Sequence, residues 1–277
     1  MPFWVNMLIE KIFTKNSSLY EKFKPVFINI GKNFDTLGLI HLFSIWTIIV
    51  SGIVVNLHSN DRYTYWDWSN WIEGSLKLLL ISLLFLQYLF PHKLWLLGNK
   101  ILNLKEILYH SILGFMIMLV GYLNFDSSFA DAFLLFPYYL ALLSCILIFQ
   151  FTLILDTDSG TWSVLNWKNK QSNLTISLLI MLSAVGLGIL FDDPIISTAG
   201  MVSSPYALIA VVWPNHVRHL QRARFYPLFT FAMFLCVRAP WFTIPLLLLF
   251  FILRITNYFR YGIAYPSFAV DFLDEEL

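Results

Sequence analysis

The amino-acid sequence predicts an all-α fold, a polytopic membrane bundle of about eight transmembrane helices with an amphipathic helix at its N-terminal side. Three observations predict it. Apolar residues make up 58% of the 277-residue chain and charged residues 13%, with a mean hydropathy of +0.69. A soluble domain runs nearer about 45–50% and about 25%, so one or two water-soluble domains are excluded. The charges are also segregated, leaving long stretches almost without them, and aromatics reach 18% with 10 Trp, as suits a chain with two lipid–water interfaces to anchor.

The elements follow in order. Residues 1–35 form an N-terminal segment in which Phe3, Trp4, Met7, Leu8 and Ile12 recur at helical spacing opposite Lys11 and Lys15. That pattern reads as an amphipathic helix on the membrane surface, and it has neither the apolar core nor the cleavage site of a signal peptide. The transmembrane domain takes 36–262, with apolar runs at 37–57, 72–90, 107–123, 129–151, 174–191, 195–213, 226–239 and 240–259. Six of them come close to the roughly 20 residues that cross a bilayer. The last two form one stretch interrupted at Arg238-Ala239-Pro240, where the missing amide hydrogen of proline predicts a helix-to-helix corner. Pro137 and Pro245 predict kinks. Residues 263–277 are an acidic C-terminal tail.

Eight spans divide the basic residues unevenly. One side receives the leader lysines and Lys93, Lys100, Lys105, Lys168, Lys170, Arg218, Arg222, Arg224, Arg254 and Arg260; the other receives Arg62, Lys77 and Arg238. Fifteen bases against three places both termini in the cytoplasm. The formal net charge of +1 is therefore an average of about +5 on that side and about −4 on the other. On the outer side, residues 58–71 pack aromatics densely, either as interfacial anchors or as a stacking surface for a ligand. Cys145 and Cys236 both lie in apolar runs and read as small buried hydrophobes.

Candidate chemistry gathers at the cytoplasmic ends of the spans, where a charge near the bilayer needs a reason. Asp156 and Asp158, just after the fourth span, could hold Mg²⁺. Asp-Thr-Asp-Ser-Gly is equally ordinary turn chemistry, and an i, i+2 pair on a helix points to different faces. Arg218 and Arg222 stand one helical turn apart and could clamp a phosphate or diphosphate, or contact anionic lipid headgroups. His41 and His110 share a depth in their spans and could ligate a b-type haem or hydrogen-bond within the bundle. No serine-nucleophile constellation, phosphate-binding glycine loop or zinc signature is visible, and nothing points to nucleic acid.

Several of these features fall in a known order. Asp156-Thr-Asp-Ser-Gly160-Thr161-Trp-Ser-Val164, the charged turn Lys168-Asn-Lys170 and two further spans resemble the region of the second motif in UbiA-type intramembrane prenyltransferases. The chain end, Arg254-Ile-Thr-Asn-Tyr258-Phe-Arg260-Tyr-Gly262 with Tyr265-Pro266, resembles the Arg-x-Tyr-Tyr…Arg-Phe-Gly…Tyr-Pro ending of one branch. Lys93-Leu-Trp-Leu-Leu-Gly98 is similar to the segment after the family's first motif. The resemblance spans most of 37–266 and implies a bundle cavity for a prenyl or other long-chain lipid. It implies Lys93, Arg218 and Arg222 on a prenyl diphosphate, and Asp156 and Asp158 on Mg²⁺ if the protein is enzymatically active. Two departures stand against transferase activity. The first aspartate-rich motif is absent, since Gln87-Tyr-Leu-Phe-Pro-His92 contains no acid, and the second is shortened to a two-residue spacing. Stripped of its catalytic centre, the same scaffold would serve as a non-catalytic membrane subunit packing against membrane-protein partners or pigments.

Overall fold

The computed structural model describes residues 8–15, 17–61, 63, 65–95, 97, 101–124, 128–149, 153–155, 162–164 and 169–261. The chain builds α1 (Leu8–Ile12), α2 (Ser18–Leu37), α3 (Leu39–Asn60), α4 (Trp71–Leu84), α5 (Leu104–Tyr122) and α6 (Phe136–Ile148). A two-stranded ribbon, β1 (Leu153–Leu155) and β2 (Trp162–Val164), separates these from α7 (Lys170–Leu190), α8 (Pro194–Val212), α9 (Val217–Leu235) and α10 (Thr243–Tyr261). Among the described residues, seven helical stretches are long and apolar enough to cross a membrane, beginning at His41, Trp71, Leu104, Phe129, Lys170, Pro194 and Pro240. The eighth expected span, 226–239, belongs to α9, which starts well before it. The expected 214–225 loop is helical from Val217, because its Leu, Gln, Arg and Ala residues are good helix formers and alternate buried with half-buried positions.

Alternate helices run in the same direction. Along α3 and α5 the contacts advance together: Gly52 abuts Met118 and Gly121, and Asn124 Nδ2 donates to Asn56 Oδ1 at 2.9 Å. The approach is close because both partners at the crossing are glycines: a Cβ on Gly52 would overlap the Met118 carbonyl, and one on Gly121 the Ile49 carbonyl. Small residues at helix crossings are how bundles associate where lipid supplies no hydrophobic drive. α6 and α7 are antiparallel neighbours locked by a reciprocal serine pair, Ser144 Oγ to Ser177 O at 2.8 Å and Ser177 Oγ to Ser144 O at 2.9 Å. α3 is the most enclosed span and α4 the least, with 83% and 28% of their residues buried inside the bundle. On α5 the row Leu108, Ile112, Met116 and Val120 is exposed opposite a buried row containing Ser111, Gly114, Met118 and Gly121. An outward apolar row beside an inner row of small residues is compatible with a lipid-facing helix.

The ends of the helices explain several sequence features. Gly38, at φ 62°, breaks the chain between α2 and α3, and a side chain there would collide with the Phe90 ring. α4 continues into a π-helical turn, Phe85–Leu89, which occupies part of the 87–92 stretch. Asn103 and Glu106 form a capping box at the start of α5. At the other end of α5, Lys77 Nζ donates to Gly121 O at 2.9 Å and Leu123 O at 2.8 Å while pairing with Glu73 at 2.7 Å. The kink expected at Pro137 is replaced by a start: a 3-10 turn, Phe129–Leu135, leads into α6 with the proline in its first turn, where its missing N–H costs nothing. Pro245 is likewise the third residue of α10. The corner at Arg238-Ala239-Pro240 forms as expected, through a 3-10 turn at Pro240–Phe242.

The N-terminal helix does more than face a surface. Tyr20 and Phe27 of α2 stack on Phe259 of α10, at ring centroids of 5.1 and 4.6 Å, and Tyr258 donates its hydroxyl to the Phe13 carbonyl. Leu19, Phe23, Val26 and Leu37 keep an exposed apolar row on α2.

Candidate functional site

A cavity of about 250 Å³ lies inside the bundle between α3, α5, α6 and α9. This is just under the size of small-molecule pockets, about 300–1,000 Å³. At one end stand His41, Ser44, Leu97, Phe149, Arg224 and Phe225; at the other stand Ser51, Met118, Tyr138 and Phe231. From His41 to Ser51, α3 advances about 15 Å at about 1.5 Å per residue, so the space is elongated along the bundle axis.

Helix periodicity sets the lining. His41, Ser44, Thr47 and Ser51 recur at steps of three and four on α3 and therefore share one face. Thr47 and Ser51 are buried, and both satisfy their protons locally: Thr47 Oγ1 donates to Phe43 O at 2.9 Å and Ser51 Oγ to Thr47 O at 2.8 Å. Ser44 Oγ donates to His41 O at 2.6 Å and accepts from Trp95 Nε1 at 3.0 Å. On α9, Arg224, Leu228 and Phe231 share the facing side. The Arg224 side chain is buried, its guanidinium carbon 5.1 Å from the ring centres of both Phe149 and Phe225. A guanidinium is the cation best suited to such flanking, being planar and weakly hydrated.

Beyond the far end of the cavity lies a buried polar cluster. Tyr138 donates its hydroxyl to Asp193 Oδ2 at 2.9 Å; Asp193 Oδ1 caps α8 through Ile195 N at 3.0 Å and stands 3.8 Å from Arg238 Nη1. Asp193 is 3% exposed and Arg238 not at all, so the corner between α9 and α10 is tied electrostatically to the turn between α7 and α8.

The residues singled out in the sequence distribute as follows. Lys93 is exposed, in a turn with φ 55°, and does not line the cavity. Arg218 and Arg222 are half-buried on the first turns of α9, also outside the lining; Arg224, two residues on, is the arginine that enters it. Asp156 and Asp158 lie outside the described residues, in the connection between β1 and β2. The fourth span ends at Ile148 rather than 151, so a strand stands between the helix and these acids. His41 lines the cavity, whereas His110 is buried against Trp95, with Nδ1 2.7 Å from the Glu106 carbonyl. Among the described residues no three His, Cys, Asp or Glu side chains gather as a metal site.

Sequence reasoning passed over Arg224, the α3 polar row and the Asp193–Arg238 pair. Arg224 carried part of a signal, since Leu228 and Phe231 at i+4 and i+7 share its helix face, and the α3 row recurs at helical spacing, but neither pattern says which face turns inward. Compared with protein-family models, with characterised proteins and with solved structures, the chain matches none.

Proposed function

We propose that this chain is a multi-pass membrane protein of UbiA-like scaffold, with both termini cytoplasmic, that holds a prenyl or other long-chain lipid inside its helix bundle. The observation that carries the reading is the elongated, mainly apolar cavity with Arg224 at one end. A long apolar chain fits against Phe43, Ile48, Leu142, Ile146 and Leu228, and a polar head meets the polar groups of the lining, Arg224 and His41 at one end or Thr47 and Ser51 along α3. The orientation is supported by the fifteen-to-three distribution of basic residues.

Transfer chemistry would make a further demand on the site. A UbiA-type reaction ionises an allylic diphosphate, and Mg²⁺ held between two carboxylate motifs would supply the charge stabilisation. The residues described do not fit that requirement. The 87–92 stretch has no acid and runs through a π turn, and the cavity lining contains no carboxylate. What this chain's own groups do is hold: the polar groups of the lining orient a polar head, and the apolar walls exclude water from the chain.

Mass spectrometry of lipids extracted from protein purified in mild detergent tests the reading. A long-chain lipid retained by the parent and lost from Ala141→Phe, which fills the cavity from α6, supports it. An Ala141→Phe protein that melts normally and keeps the same lipid complement overturns it. Turnover is tested by Mg²⁺-dependent consumption of a prenyl diphosphate, lost in Asp156→Ala.

A further inference from the structure

The polar row on α3 gives the cavity a selectivity beyond chain length. Each of its buried hydroxyls spends its proton on a main-chain carbonyl of the same helix, Thr47 on Phe43 and Ser51 on Thr47. What these oxygens turn toward the cavity is lone pairs. Tyr138 is in the same condition, its proton committed to Asp193. The middle and far end of the cavity therefore present three hydroxyl oxygens as acceptors.

Resting on the reading of the cavity as a lipid site, we propose that its ligand is a long-chain alcohol, whose hydroxyl donates to Thr47 or Ser51 while its chain lies along α6 and α9. Other head groups fit the same surroundings worse. An ammonium would donate, yet it would enter a space that already holds the Arg224 guanidinium. A ketone, ester or ether oxygen only accepts, so it meets lone pairs unless Thr47 and Ser51 give up their helix bonds. A carboxylate meets the same lone pairs and is held to the Arg224 end. A hydroxyl is neutral and supplies the missing donor, and in this low-dielectric site that one bond is worth more than it is in water.

Two isosteric probes separate these cases: 1-dodecanol and undecyl methyl ether, which differ by the position of one oxygen and the loss of its proton. Binding to the full chain in nanodiscs is read by native mass spectrometry and by the shift in melting temperature. The parent protein is expected to prefer the alcohol by about three- to tenfold, the worth of one hydrogen bond. Thr47→Val with Ser51→Ala removes the two acceptors on α3 that the proposal assigns to the ligand, leaving Tyr138, and costs only dispensable back-bonds to the helix, so the protein folds. The alcohol preference should then fall to about one while ether binding is unchanged, as expected when a single pairing is removed. Equal binding of the two probes by the parent overturns the alcohol assignment and leaves the lipid-binding reading standing. A preference that survives the double substitution also overturns it. Binding of neither probe overturns both readings.

Discussion

Replacing Asp193 with alanine removes three interactions at once from a site that water does not reach. The carboxylate accepts the Tyr138 hydroxyl at 2.9 Å and the Ile195 amide at 3.0 Å, and it faces Arg238 at 3.8 Å. Taken singly, an N-cap is worth about 1 kcal/mol. A hydrogen bond to a charged group contributes about 1.5–3 kcal/mol. The largest consequence is electrostatic, because the Arg238 side chain is fully buried and would lose its carboxylate. Breaking a buried pair from one side costs about 3–5 kcal/mol, and since all three effects share two oxygen atoms that figure is the total rather than an addition to the others. Asp193→Asn keeps one acceptor, its amide oxygen, for the Ile195 amide and sets its NH2 opposite the Tyr138 hydroxyl, whose oxygen can accept, so it should cost less than alanine. Asp193→Ala with Arg238→Met should cost less than the sum of its parts, because the second change removes the stranded charge. Reversible unfolding in mixed micelles on an SDS gradient, followed by tryptophan fluorescence, measures the parent, both Asp193 variants, Arg238→Met and the double variant. An Asp193→Ala protein within about 0.5 kcal/mol of the parent, the range of ordinary surface changes, refutes the reasoning. Strict additivity in the double substitution would refute its electrostatic part.

The other predictions concern packing, capping and titration. Gly52→Leu forces α3 off α5 at a backbone contact and should cost about 1–3 kcal/mol or abolish folding, whereas Gly186→Ala, where a Cβ meets nothing within 4 Å, should be silent; the same SDS titration reads both. Lys77→Met uncaps α5 at Gly121 and Leu123 and should lose about 1.5–3 kcal/mol, with Glu73→Gln costing less because that carboxylate is half exposed. Burial, His216 and Arg222 hold His219 below the ordinary histidine range, so its folded form favours the neutral ring. That contribution to stability is complete above the unfolded value near pH 6.5 and is lost as pH falls toward the lower folded value. NMR titration of the ring should show the depressed midpoint, and His216→Ala should raise it. Phe259→Ala removes the ring on which Tyr20 and Phe27 stack, and limited proteolysis should then cut between α1 and α2 faster than in the parent.

The membrane-spanning class was legible in the sequence, because lipid demands about twenty apolar residues per crossing and leaves that demand in the order of residues. The spans beginning at His41, Trp71, Leu104, Phe129, Lys170, Pro194 and Pro240 all coincide with apolar runs. The corner at Pro240 was legible for the same local reason, a residue that cannot donate. Boundaries that depend on tertiary contact were not. Residues 217–225 look like a charged loop, yet they are helical with Leu220, Ala223 and Arg224 buried, since neighbouring helices cover one side of them. The ribbon at Leu153–Leu155 and Trp162–Val164 lies between the 129–151 and 174–191 runs, in a stretch that reads as a loop. Asp193 precedes α8 and Arg238 follows α9, and nothing in their local sequence announces that folding brings them to 3.8 Å.

The candidate site divides the same way. Composition and periodicity by themselves determined that the chain forms apolar helices, and the uneven charge carried the sidedness proposal, because both are sums over residues that hold whatever the packing. Only the tertiary structure decided that Arg224 rather than Arg218 or Arg222 enters the cavity, and that the α3 hydroxyls line it. A helix offers several faces of comparable polarity, and which one turns inward is set by the helices packed against it.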